Sequence, residues 1–227
     1  MSQTEEAIQL FMEEFGHRQV QQKIENYRRL NRFVKPGQIV FAGSSLMEQF
    51  PLYELVQGED LPYQVYNRGI GGFVTTQLLE VLDVCVLDLQ PAHVFINIGT
   101  NDMNGPDYSL PEMMGRYETI LQKILQALPG VHLHLLAYYP INAEAAGDPH
   151  IAQALRFRTN GVLEKANQAA KNLAEKMGAD FYDLNAGIKD SQGRLNAAYT
   201  VEGMHMYADG YKAVLDALLP ILRELKE

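Results

Sequence analysis

Three side chains of this sequence have the types that nucleophilic hydrolysis needs: Ser45, His205 and Glu202. A serine hydroxyl is a weak nucleophile at neutral pH and needs an imidazole beside it to take its proton. A carboxylate three residues before a histidine can hold the ring in the tautomer that leaves its far nitrogen free for that task. Ser45 closes the run Phe41-Ala42-Gly43-Ser44-Ser45, and His205 closes Glu202-Gly203-Met204-His205. The runs stand near opposite ends of the chain, so only a fold that joins those ends makes them a site.

Two further loops could serve the same chemistry. Asn67-Arg68-Gly69-Ile70-Gly71-Gly72 is rich in glycine, which lets backbone approach a ligand, and the Gly72 N–H could stabilise an oxyanion. Plain turn formation is the competing use. The Gly-x-Gly-x-x-Gly spacing of a dinucleotide site is absent. In Gly99-Thr100-Asn101-Asp102, the Asn101 amide is a second candidate donor, with Asp102 as a rival acid or base. Ser45 opens a helix, where serine also serves as an N-cap; Ser44 could cap instead and leave Ser45 for chemistry. The Gly-x-Ser-x-Gly elbow does not occur around Ser45.

The elements that must position these groups alternate. Residues 3–31 have helical periodicity, with Ile8, Phe11 and Phe15 on one stripe that Ile24 and Tyr27 continue after a drift. Pro36-Gly37 closes it. Strands are expected at residues 38–42, 63–66, 93–98, 131–136 and 181–182. Helices are expected at 75–88, 110–128, 151–177 and 207–225. Strands separated by helices predict a mostly parallel sheet covered on both faces, with functional loops beyond the carboxyl ends of the strands.

Composition narrows the function classes. The chain has 227 residues, enough for one substantial core. A formal charge of −9 disfavours broad contact with nucleic acid or anionic lipid. No apolar run reaches the roughly 20 residues of a membrane span. Residues 1–10 lack the pattern of a signal peptide. The single cysteine, Cys85, reads as a buried thiol. A cytoplasmic protein is expected. His132 and His134 share one face of a strand, but no well-spaced carboxylate for a metal site is apparent. His93 begins a strand, His17 belongs to the first helix, and His150 could approach the pocket mouth.

Together the four loops resemble the signature of the SGNH hydrolase, or GDSL esterase/lipase, family. Gly43-Ser44-Ser45 stands where the family has Gly-Asp-Ser. Asn67–Gly72 and Gly99–Asp102 match the second and third blocks, and Glu202-Gly203-Met204-His205 stands for Asp-x-x-His. The resemblance spans about residues 38–222. It implies a flavodoxin-like three-layer α/β/α sandwich with a central mostly parallel sheet, here carrying an extra N-terminal helix. The expected organisation is an extension over residues 1–35 and a hydrolase-like domain over 36–227.

The resemblance also implies roles: Ser45 as nucleophile, His205 as base and Glu202 as its orienter. Ser45, Gly72 and Asn101 would donate to the oxyanion. Neither metal nor organic cofactor is implied, and the expected partner is a small ester. Tyr138, Tyr139 and Pro140 are expected to wall the substrate pocket. Two departures from the pattern are Ser44 in place of aspartate and Glu202 in place of the triad aspartate. The N-terminal helix is expected to pack on the body or join a second subunit. The alternatives are a lysophospholipase, thioesterase or carbohydrate acetylesterase of the same mechanism, and a non-catalytic binding or scaffold protein on the same fold.

Overall fold

A computed structural model describes residues 3–226. Residues 1, 2 and 227, the ends of the two expected spans, lie outside the described residues. Helix α1 (Gln3–Leu30) runs into a 3-10 turn at Asn31–Phe33. Five strands follow in the chain: β1 (Ile39–Gly43), β2 (Val65–Gly69), β3 (His93–Asn97), β4 (His132–Leu136) and β5 (Asp180–Tyr182). Between β1 and β2 lie the short helices α2 (Ser45–Glu48) and α3 (Leu52–Leu55). Helices α4 (Thr75–Glu80) and α5 (Leu82–Cys85) join β2 to β3, and α6 (Leu110–Ala127) joins β3 to β4. Helices α7 (Pro149–Ala154) and α8 (Asn160–Met177) join β4 to β5, and α9 (Ala208–Glu224) ends the fold.

All strand pairings are parallel, in the order β2-β1-β3-β4-β5. That is the flavodoxin-like order, with its switch point between β1 and β3. Side chains alternate between the two faces, as the strand period of two requires. Val94, Ile96, Leu133 and Leu135 meet Leu78, Tyr117, Ile120 and Ile124 on one side. Ile39, Phe41 and Phe95 meet Tyr211, Val214, Leu215 and Leu218 of α9 on the other.

Two expected helices are interrupted. The segment read as one helix over residues 75–88 breaks at Val81, whose φ of −120° and ψ of 26° leave the helical region. Its β-branched content is the cause at hand, since such side chains crowd the preceding turn. The segment read as one helix over 151–177 breaks into α7 and α8. Thr159 caps α8 by accepting the Val162 N–H, and residues 155–158 form the elbow between them. The chain gains burial there: Leu155 and Arg158 turn inward at an elbow that a straight helix could not make.

Cys85 is buried, and burial pushes its thiol up to about 12. No helix among the described residues is long and apolar enough to cross a membrane.

Candidate active site

Register alone brings three loops together. Gly43 pairs with Gly69 on one side and with Asn97 on the other. The chain therefore leaves β1, β2 and β3 at one level, and Ser45, Gly72 and Asn101 follow within two to four residues. Ser45 begins α2 directly after Ser44, so its hydroxyl stands at a helix start where backbone N–H groups lack helical partners.

The fourth loop is folded tightly against the other three. Thr200 and Met206 form an antiparallel bridge, Thr200 Oγ1 donates to the His205 carbonyl at 2.9 Å, and it accepts the Gly203 N–H at 2.7 Å. Gly203 has φ +98°, and a Cβ there would stand 2.4 Å from the Asn142 carbonyl oxygen, so only glycine fits. This turn delivers His205 to Ser45 across 160 residues of sequence, with Nε2 2.8 Å from Oγ. On the other side of the ring, Nδ1 lies 2.5 Å from Glu202 Oε1. With Nδ1 protonated toward the carboxylate, Nε2 is left as an acceptor for the serine proton.

Among the described residues the backbone N–H groups of Ser45 and Gly72 make no hydrogen bond. Gly72 reaches its position with φ +79°. The Asn101 amide donates to the Phe73 carbonyl at 3.0 Å, tying the third block to the residue after Gly72. Such an arrangement can accept a proton from a hydroxyl and offer donors to a developing negative oxygen.

Several sequence expectations fall elsewhere. Asp102 accepts from the Thr75 N–H at 2.9 Å, from Thr75 Oγ1 at 2.6 Å and from Arg116 at 3.1 Å. Its carboxylate is thus engaged in holding the start of α4, which argues against the acid-base role weighed for it. Tyr138 and Tyr139 do not make an accessible wall: each is 2% exposed. The Tyr138 hydroxyl donates to the Ile98 carbonyl at 2.9 Å, and the Tyr139 ring belongs to the core under α9. Tyr138 and Pro140 border instead a polar cleft of about 690 Å³ beside α8, whose lining includes neither Ser45 nor His205. The physical reason is strand geometry, which turns residues just after β4 into the core before the chain reaches the rim.

Ser44 is fully buried, makes no side-chain capping bond, and its hydroxyl has no partner among the described residues. His134 does have a carboxylate neighbour, Asp180 on the adjacent strand, with Nδ1 3.0 Å from Oδ2. His134 Nε2 lies 3.0 Å from His93 Nδ1. This cluster sits at the amino end of the sheet, away from Ser45. Among the described residues no group of three or more His, Cys, Asp or Glu stands where it could hold a metal ion.

Two residues at the site escaped the sequence reading. Glu48 accepts the Gly71 N–H and pairs with Lys23 of α1, so the first helix braces the glycine loop. Tyr27 of α1 adds a bond to the Gly69 carbonyl at 2.7 Å. The second is Arg158, which reaches Asn101 from the elbow between α7 and α8. Spacing signalled neither one; for Glu48, its place three residues after Ser45 was a signal available in principle.

A five-stranded parallel sheet in this order, covered by helices on both faces, is an α/β/α sandwich, and four polar loops gather at its carboxyl edge. Over residues 44–213 the chain matches the GDSL-like Lipase/Acylhydrolase family, and it belongs to that family. Hydrolysis of carboxylic esters is the chemistry that membership carries.

Among solved structures, the chain is similar to a protein from Streptococcus pneumonia assigned as a platelet activating factor. The identity is 31% and the TM-score 0.83, covering 95% of this chain and 98% of that one. The human platelet-activating factor acetylhydrolase IB subunit alpha2 is 24% identical over 203 residues, 87% of this chain and 83% of that protein. The N-acylneuraminate cytidylyltransferase of Escherichia coli O18:K1:H7 is 25% identical over 211 residues, 89% of this chain. The chain spans about half the length of this Escherichia coli relative, 46%.

Proposed function

We propose that the protein is a serine hydrolase of short-acyl or small soluble esters, acting through Ser45, His205 and Glu202. The observation that carries this is the His205 ring, with Nδ1 2.5 Å from Glu202 and Nε2 2.8 Å from Ser45. Ser45 Oγ attacks the ester carbonyl carbon while His205 Nε2 takes its proton. The carbonyl oxygen becomes the oxyanion, held by the N–H groups of Ser45 and Gly72 and the Asn101 amide. Collapse breaks the bond to the alcohol, which leaves with the proton from His205. Water then attacks the acyl-serine with the same base, and the acid departs.

The short-acyl reading rests on the surroundings. In the segment carrying His205, the exposed large apolar side chains are Val201 and Tyr207, too few to line a long-chain groove. The acetylhydrolase among the relatives points the same way. Purified wild-type and Ser45→Ala protein are compared on an ester series from acetyl to long-chain acyl groups. Turnover by wild type alone, greatest on the short esters, is expected. Equal turnover by both proteins rejects the serine mechanism, and labelling by an active-serine phosphonate separates a hydrolase from a scaffold. A maximum on long chains favours a lysophospholipase, and preference for acetylated sugars or thioesters redirects the substrate without changing the mechanism.

The same proposal includes a second copy of the chain as partner. Ile8, Phe11, Met12 and Phe15 of α1 are 44–59% exposed, a large apolar stripe to leave in water. An antiparallel pair of α1 helices centred between Phe11 and Met12 sets Ile8 against Phe15 and Glu6 against His17 and Arg18. Light scattering should show a dimer that Phe11→Glu disperses; a wild-type monomer at high concentration rejects it.

A further inference from the structure

Arg158 is the largest of the fully buried side chains, at 1% exposure. Taking a guanidinium out of water costs several kcal/mol unless its surroundings repay it. A carboxylate in direct contact would be the ordinary partner, yet among the described residues Arg158 forms no salt bridge. Its bonds go to neutral groups instead. Nη2 donates to Asn101 Oδ1 at 2.8 Å, Nε donates to Asn104 Oδ1 at 2.9 Å, and Nη1 lies 2.6 Å from the Met204 sulfur. Burial lowers its pKa to about 10, with the Glu202 charge acting in the opposite sense, so the group remains a cation at neutral pH.

The contacts place that cation behind the site from two sides. Asn101 is the third-block carboxamide, and Met204 immediately precedes His205. Arg158 can only donate hydrogen bonds, so the atom of Asn101 facing it must be the oxygen. That fixes which way round the amide stands. Of the two Nδ2 hydrogens, one goes to the Phe73 carbonyl at 3.0 Å, and the other has no acceptor among the described residues. A positive charge on the carbonyl side also draws electron density from the amide nitrogen and makes its remaining N–H a stronger donor.

We propose that Arg158 is a positioning residue for ester hydrolysis, one that orients and polarises the Asn101 amide toward the oxyanion without touching substrate. This rests on the serine-hydrolase reading above. The effect grows as negative charge develops on the carbonyl oxygen, so it belongs to the transition state and should appear in kcat rather than KM. It also gives the break between α7 and α8 a purpose: the elbow is what swings this side chain inward.

The test is a double-mutant cycle on a short ester with wild type, Arg158→Met, Asn101→Ala and the double variant, with Ser45→Ala as reference. Methionine keeps the stem volume in a region already packed with Met103, Met113 and Met204. Arg158→Met should lower kcat by about 10–100-fold with KM within about 3-fold, and Asn101→Ala by about 10²–10³-fold. The double variant should be no worse than about 3-fold below Asn101→Ala alone, because Arg158 acts through that amide. Losses that multiply would overturn the proposal, as would a normal kcat for Arg158→Met. If the methionine variant does not fold, as judged by its thermal transition, Arg158→Lys carries the same cycle, keeping the charge but losing the fork. Turnover by Ser45→Ala equal to wild type would instead reject the hydrolase reading; an inactive Ser45→Ala beside an unaffected Arg158→Met rejects only the role of Arg158.

Discussion

One oxygen of Glu202 holds His205 twice: Oε1 accepts from the backbone N–H at 3.1 Å and stands 2.5 Å from ring Nδ1. The extra methylene of glutamate, relative to the aspartate common at this position, is absorbed by the tight turn between the two residues. Ring and backbone are therefore aligned by the same carboxylate. Glu202→Gln keeps the shape but can present N–H where an acceptor is needed. Turnover should fall roughly 10²–10³-fold, less than the about 10⁴-fold of a serine-protease triad. Steady-state kinetics beside a thermal melt checks this; near-normal kcat would show another orienter, with Asp209 the first to examine.

Asp102 should behave in the opposite way. Its carboxylate holds Thr75 and Arg116, so Asp102→Asn removes charge-assisted bonds at the start of α4. Arg116 is partly solvent-screened, which limits the cost to about 1–2 kcal/mol. Urea unfolding should show that loss, while kcat at a temperature where the variant is folded stays within about 5-fold of wild type. A collapse of kcat in a stable variant would restore Asp102 as an acid or base.

Ser44 carries a buried hydroxyl with no partner among the described residues. Ser44→Ala removes that group, so stability should hold or rise by up to about 1 kcal/mol. A destabilisation above about 1 kcal/mol in urea titrations would mean that the hydroxyl is bonded in solution.

The histidine cluster under the sheet predicts an acid-sensitive fold. Burial and the neighbouring His93 lower the His134 pKa from 6.5 to about 4, against the raising influence of Asp180. Burial likewise lowers His93. Below pH 6.5 the unfolded chain takes up protons that the folded chain refuses. The contribution is thus complete above pH 6.5 and is lost as pH falls toward 4, on the order of 1–3 kcal/mol. Unfolding free energies at pH 7, 6, 5 and 4.5 should show this slope, and His134→Gln should flatten it. An unchanged slope in the variant assigns the acid sensitivity to other groups.

The order of strands and helices was readable because each depends on nearby residues: short apolar runs, helical periodicity, Pro36-Gly37 as a stop, and polar loops after the strands. The four blocks were readable for the same reason, since each is a local string. Ser45, Gly72, Asn101, Glu202 and His205 could all be named before any geometry was known. What held them together was not in any one string; the register Gly43 with Gly69 and Asn97 sets three loops side by side, and the Thr200–Met206 bridge brings the fourth. The role of Asp102 was likewise undecidable locally, because the arginine that engages it is 14 residues away on α6. Tyr138 and Tyr139 looked like a pocket wall by sequence position, yet the direction of β4 sends their rings inward. Arg158 is the clearest case. Helical periodicity continues through it, and its type suggests a solvated surface. Its burial and its bond to Asn101, 57 residues earlier, appear only in the tertiary structure. Local strings determined which chemistry this chain could attempt. Tertiary structure decided which polar groups meet, because a side chain's partners depend on long-range register and burial that neighbouring residues do not encode.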